Sequence, residues 1–215
     1  KDEKLAEFVV IVLGDGNIHE YKGFYNGRVI ETNAIRIAGD SNKDKEYLES
    51  YVASLGKELF GLKACFYKQK DANTLYIIFN GKQIIEFMIH IGLKSGNKIK
   101  SQVTIPEWIW ESEECLKACI RGLIDTDGSV YELLPYWPGL FQLTFENRNI
   151  TLLRDTRKAF LKLGYNISKI CGNRTEHGTK IYLTRKNDIA KFYKEINFSN
   201  PKHKQKLDAL YSPVG

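Results

Sequence analysis

The chain has 215 residues, enough for one domain of ordinary core size or for two half-domains that share a core. Apolar residues make up 43% and charged residues 27%, a globular balance that excludes a disordered or membrane chain, and the net charge of +6 favours an anionic partner. The run "FVVIVL" is far too short to span a bilayer and no signal-peptide pattern opens the chain, so the expectation is a cytoplasmic protein, or a nuclear one in a eukaryote. Because Lys1 stands where a methionine would start the chain, part of the natural N-terminus is expected to be missing.

Residues 8 to 13 are apolar on every face and predict a buried helix that closes on Gly14-Asp15-Gly16. Strands are predicted near 18–24 and 29–38, with Asn26-Gly27 as their hairpin turn. A long helix follows in "KDKEYLESYVASLGKELFG", where Tyr47, Leu48, Tyr51, Val52, Leu55, Leu59 and Phe60 recur at helical spacing and Gly61 ends it. Two more strands, near 63–69 and 75–79, and a helix in "KQIIEFMIHI" complete an αββαββα order.

From Cys115 the order recurs: an apolar helix to Gly128, strands near 129–134 and 140–145, a helix in "NITLLRDTRKAFLKLG", strands near 167–173 and 180–184, and a helix over 186–196. "IEFMIHIGL" at 85–93 also aligns with "AKFYKEINF" at 190–198. Asp15 and Asp127 are 112 residues apart, and the later segments 105, so the halves differ by a small deletion. The fold expected is α+β, a tandem duplication with halves 1–93 and 115–215 joined by the Gly-, Pro- and charge-bearing linker 94–114. Cys65, Cys115, Cys119 and Cys171 form no CxxC pair and have no histidine at ligand spacing, so buried thiols are expected at 115 and 119 rather than a zinc site.

A helix apolar all round needs a partner, and the obvious partner is its own repeat. Gly122 and Thr126 give the second copy a small-xxx-small spacing, with Val10 and Gly14 at the matching places. Packed side by side in parallel, the two helices would bring Asp15 and Asp127 together at their C-terminal ends. The last carbonyls of a helix lack intrahelical donors and carry partial negative charge, so adding carboxylates there calls for a cation. Carboxylate and carbonyl oxygens suit Mg²⁺, with phosphate oxygens as further ligands, and the chemistry implied is phosphodiester hydrolysis.

At this point the sequence resembles the LAGLIDADG homing endonucleases. "IRGLIDTDG", residues 120–128, departs from the nine-letter signature only at its first two places and at Thr126, while "FVVIVLGDG", residues 8–16, matches through its apolar run and closing Asp-Gly. The resemblance covers essentially the whole chain and is to the single-chain, two-motif members. It implies two pseudo-twofold halves with saddle-shaped antiparallel sheets in the major groove of a long, nearly palindromic duplex site, bound by a monomer. It further implies cleavage of both strands with Mg²⁺, for which other divalent cations can substitute. By position the acidic ligands are Asp15 and Asp127, joined by the carbonyls of Gly14 and Thr126. Asp125 fills the signature's first aspartate but has Leu13 as its counterpart, which argues against a symmetric ligand. The resemblance also implies a lysine near each scissile phosphate, and Lys98 and Lys204 are the candidates.

Alternation along the strands supplies the face that would read DNA. Arg36 points away from Ile35 and Ile37; Lys63, Tyr67 and Gln69 share one face; Gln142 and Thr144 are expected to be exposed between Phe141, Leu143 and Phe145. Arg28, Tyr131, Arg174, Lys180 and Tyr182 are further candidates. Trp108 and Trp110 read as packing residues, and the four histidines share no spacing and receive no role. The alternatives are an RNA maturase or a non-cleaving nucleic-acid-binding protein of the same fold, and a Mg²⁺ enzyme of small phosphate esters. Two retained aspartates argue against the first, and broad basic strand faces against the last.

Overall fold

A computed structural model describes residues 1–172 and 179–211. Helix α1 (Glu3–Gly14) opens where the Asp2 carboxylate accepts the Leu5 amide hydrogen at 2.9 Å, so it begins earlier than its apolar run. Every residue from Leu5 to Leu13 is buried. Strands β1 (Gly16–Tyr25) and β2 (Arg28–Asp40) pair from Gly16 opposite Ile37 to Tyr25 opposite Arg28. The turn between them places Asn26 and Gly27 at φ 48° and 75°, the doubly left-handed geometry that matches the twist of a hairpin.

The long amphipathic segment forms a π-helical turn, Tyr47–Val52, that continues as α2 (Ala53–Phe60). Gly61 ends it in the left-handed region at φ 66°, its amide donating to the Lys57 carbonyl. Strands β3 (Cys65–Lys68) and β4 (Thr74–Asn80) then complete an antiparallel sheet of order β1-β2-β4-β3, and α3 (Lys82–His90) follows.

From Lys98 onward the expected linker is tied to both halves. It contains α4 (Lys98–Ser101) and a 3₁₀ turn, Glu107–Glu111. The Gln102 side chain accepts from Thr151, the Val103 carbonyl accepts from Asn149 at 2.8 Å, and the Ile105 amide donates to Asp155. Trp108 is buried with its ring nitrogen donating to the Ile91 carbonyl, and Lys158 sits 4.9 Å from the centre of the Trp110 ring, so both are packing residues.

The second half opens with α5 (Glu113–Asp127), capped by the Ser112 hydroxyl. Strands β5 (Gly128–Leu133), β6 (Trp137–Asn147) and β7 (Thr179–Leu183) form its antiparallel sheet, with α6 (Ile150–Lys162) after β6 and α7 (Lys186–Glu195) after β7. The strand expected near 167–173 is reduced to one bridge, Cys171 opposite Lys180. Its cause is a slip in register: both the amide and the hydroxyl of Ser168 engage Tyr182, one residue out of step with the bridge. Residue 173 lies outside the described residues. A last helix, α8 (Pro201–Tyr211), was not legible in the sequence.

One continuous hydrophobic core runs through both halves, with α1 and α5 at its centre. Phe8 of α1 meets Phe60 and Phe79 edge-on in the first half, while Phe160, Phe192 and Phe198 cluster in the second. Cys115 and Cys119 are buried free thiols.

Candidate active site

Helices α1 and α5 lie side by side in parallel, and residues 112 positions apart face each other. A methyl group on Gly14 would come within 2.8 Å of Thr126 Cβ and 3.3 Å of an Asp127 carboxylate oxygen. One on Gly122 would come within 2.7 Å of a Val10 methyl and 3.0 Å of the Glu7 carbonyl. Small residues at these two levels let the backbones approach, and the close approach carries both helix ends to one place. Lower down, Glu7 is buried and held by Arg121 at 2.5 and 3.0 Å and by the Ser199 hydroxyl at 2.8 Å, which fixes the two helices in axial register.

Asp15 ends α1 and Asp127 ends α5. Burial, reinforced by the charge of Asp127, pushes the Asp15 carboxyl up to about 7, against the pull of Lys202 and Lys98. Burial likewise pushes Asp127 up to about 6, opposed by Lys98 and by the Asn147 amide, which donates to Asp127 Oδ2 at 2.9 Å. No described residue donates a hydrogen bond to the Asp15 carboxylate. Among the described residues no group of three or more His, Cys, Asp or Glu is placed to hold a metal ion, so the carboxylates that meet at the helix ends are this pair, with Asp44 near enough to raise Asp15 further.

The Lys98 ammonium caps α1, donating to the carbonyls of Val12 at 3.3 Å, of Leu13 at 2.9 Å, and of Gly14. A cation thus already sits against the orphan carbonyls of a helix end. Burial lowers the pKa of Lys98, in spite of the two aspartates nearby.

The lysine that the second half brings to the carboxylates is Lys202, paired with Asp44 at 2.7 Å, rather than Lys204. Lys204 is exposed, and no described contact joins it to either aspartate. Two residues turn an α-helix by about 200°, so neighbouring lysines of α8 face opposite ways. The repeat alone does not choose between them, since Lys202 follows Lys98 by 104 residues and Lys204 by 106, either side of the 105 that separates the matching segments; the phase of α8 does. Asn147, at the end of β6, left no pattern in the sequence and is found only through its contact with Asp127.

Two clefts flank the pair. One of about 410 Å³ is lined by Gly14, Lys98, Asp127, Asn147 and Arg148, among others, and one of about 380 Å³ by Asp15, Asp40, Asp44, Asn73 and Thr126, among others. Asp125 lies outside both. It is buried, with Oδ2 accepting from the Ser199 amide at 2.8 Å.

Arg28, Arg36 and Tyr67 share the outward face of the first sheet, opposite Tyr25, Asn17 and Tyr76 respectively, with exposed Lys63 and Gln69 flanking β3 on the same alternation. On the second sheet Tyr131 stands opposite Gln142, and Thr144 opposite Tyr182, with Lys180 opposite Glu146 on the same face. Thr144 corrects the expectation of exposure: it is buried, its hydroxyl 2.6 Å from that of Ser129, because neighbouring strands flank it on both sides. Arg174 lies outside the described residues.

Residues 114–197 match the LAGLIDADG-like domain family. No curated protein sequence matches the chain. Among solved structures, a mesophilic variant of the homing endonuclease I-DmoI is 18% identical, with a TM-score of 0.62 over 90% of this chain and 95% of that one. The I-LtrWI LAGLIDADG homing endonuclease, bound to target DNA, is 16% identical with a TM-score of 0.59 over 96% and 88%. The meganuclease I-SmaMI, bound to uncleavable DNA, is 14% identical with a TM-score of 0.58 over 92% and 86%. The whole chain therefore has the fold of the two-domain LAGLIDADG endonucleases.

Proposed function

We propose that this chain, with a LAGLIDADG-like domain at 114–197 and that fold throughout, is a monomeric homing endonuclease that cleaves both strands of a long, nearly palindromic DNA duplex. The observation that carries the reading is the meeting of Asp15 and Asp127 at the ends of two parallel buried helices, with Lys98 and Lys202 beside them. DNA complexes containing Mn or Ca are known for I-DmoI, and one of its variants has been crystallised with DNA in the presence of Mg.

The donor set here fits a divalent cation. No described residue donates a hydrogen bond to the Asp15 carboxylate, and burial disfavours two neighbouring anions. Asp15 and Asp127, with the carbonyls of Gly14 and Thr126, would hold Mg²⁺ or a substitute. When bound, the metal supplies Lewis-acid polarisation of phosphate oxygens and lowers the pKa of water in the site. The chain's own groups do the rest. Asn147 orients the Asp127 carboxylate, Lys98 places positive charge where phosphate charge develops, and Lys202 balances Asp44 beside Asp15. Arg28, Arg36, Lys63, Tyr67, Gln69, Tyr131, Gln142, Lys180 and Tyr182 face the major groove, with Thr144 beneath them.

The test begins with selection of duplexes from a randomised library in Ca²⁺. A plasmid carrying a selected site should be linearised in Mg²⁺ and left intact in EDTA. Asp127→Asn keeps the shape of the side chain and removes a charge the cation requires, so it should abolish linearisation while specific binding in Ca²⁺ survives. Full linearisation by this variant would overturn the assignment. Tight binding by the wild-type chain with no cleavage in any divalent metal would favour a non-cleaving binding protein.

A further inference from the structure

Exposed aromatic pairs recur in the sequence at the 112-residue offset of Asp15 and Asp127, although on opposite arms of their hairpins, since Tyr25 ends β1 and Trp137 opens β6. At the tip of the first, Phe24 and Tyr25 are 79% and 66% exposed; at the same offset, on the tip of the second, Tyr136 and Trp137 are 80% and 60% exposed. The Tyr136 and Trp137 rings lean together with centroids 6.0 Å apart. Large aromatic rings held in water at the tips of both hairpins mark a surface that a partner covers.

The partner follows from where the tips stand. Tyr25 is directly across the ladder from Arg28, on the outward face that also carries Arg36, and the second tip extends the strands of Tyr131 and Gln142. Each tip therefore continues a face assigned above to duplex DNA, and the inference rests on that reading. The second tip, "LPYWPGL" at 134–140, has no charged side chain, so attraction to phosphate is not its role. Aromatic faces instead stack on bases and pack on sugars and thymine methyl groups.

We propose that Phe24, Tyr25, Tyr136 and Trp137 form a matched pair of aromatic fingertips that pack against bases and deoxyribose at the two outer ends of the bound site. The contact is apolar, so it adds affinity without releasing counterions. Both tips are exposed and their substitution leaves the core intact.

The experiment compares the wild-type chain with the double variants Phe24→Ser/Tyr25→Ser and Tyr136→Ser/Trp137→Ser. Binding to a library-selected duplex is measured in Ca²⁺ over a salt series, on the full duplex and on duplexes trimmed at one end or the other. Each variant should bind the full duplex roughly tenfold or more weakly, the scale of losing one to two stacked rings. The slope of log affinity against log salt should stay that of the wild type. The deficit should vanish on the duplex trimmed at that tip's end. Equal binding by variant and wild type, a changed salt slope, or a deficit that survives both trimmings would overturn the proposal. So would variants whose only change is lost self-association in sedimentation, which would assign the tips to a second copy of the chain. If the wild-type chain binds no duplex at all, the endonuclease reading fails first, and that result is distinct from all of these.

Discussion

Asp125 and Asp127 are two residues apart on α5, about 200° around the helix, and that rotation separates their roles. Asp127 turns to the end of α1, whereas Asp125 is buried against Ser199, its Oδ1 without a hydrogen-bond partner among the described residues. Burial pushes its carboxyl up to about 8 from an ordinary 3.8, in spite of the amide donated by Ser199. Between those two values the native state holds a proton that the unfolded chain releases, so stability falls as pH rises through that window. Asp15 and Asp127, raised in the same direction, add to the slope when no metal is present. In EDTA the melting temperature should drop between pH 5 and pH 8, and Asp125→Asn should flatten that drop while retaining most cleavage activity in Mg²⁺. Circular-dichroism melts showing the same slope for the variant, or loss of linearisation, would refute this account.

At the scale of the element, the paired helices depend on residues with little or no side chain. Gly122→Ala should destabilise the protein by about 1–3 kcal/mol, because its methyl group meets a Val10 methyl at 2.7 Å and the Glu7 carbonyl at 3.0 Å. Adding Val10→Ala should recover part of that loss and not all of it, since the carbonyl cannot move aside; a double-mutant cycle in urea measures the coupling. This packing was legible in the sequence because duplication prints the same spacing twice, and an apolar run with no polar side has few places to go. The strand expected near 167–173 is reduced to a bridge among the described residues, and that loss was not legible, because the slip at Ser168 depends on a side chain engaging the ladder and not on β-propensity. Lys202 was missed in favour of Lys204 because the segment was read without helical phase, and phase is visible only once α8 is known to be a helix. Asn147 reaches Asp127 through the turn of a hairpin, a distance that no local spacing encodes.

For the molecule as a whole, the net charge of +6 and the cationic residues of both sheet faces set how binding responds to salt. The slope of log affinity against log salt should be about −0.9 for each phosphate neutralised, and sedimentation should find one chain per duplex. An obligatory pair of chains on one site would contradict the duplicated architecture. The burial of α1 on every side has a consequence of another kind. Neither half is a module in its own right, because each keeps its motif helix dry only by lending it to the other. Severed between Ser101 and Gln102, where the chain passes from α4 to the contacts of Gln102 with Thr151, the protein should yield two fragments that are insoluble apart and that rebuild one particle when expressed together. Recovery of either fragment alone as a folded monomer would show that what the duplication joined had never become interdependent.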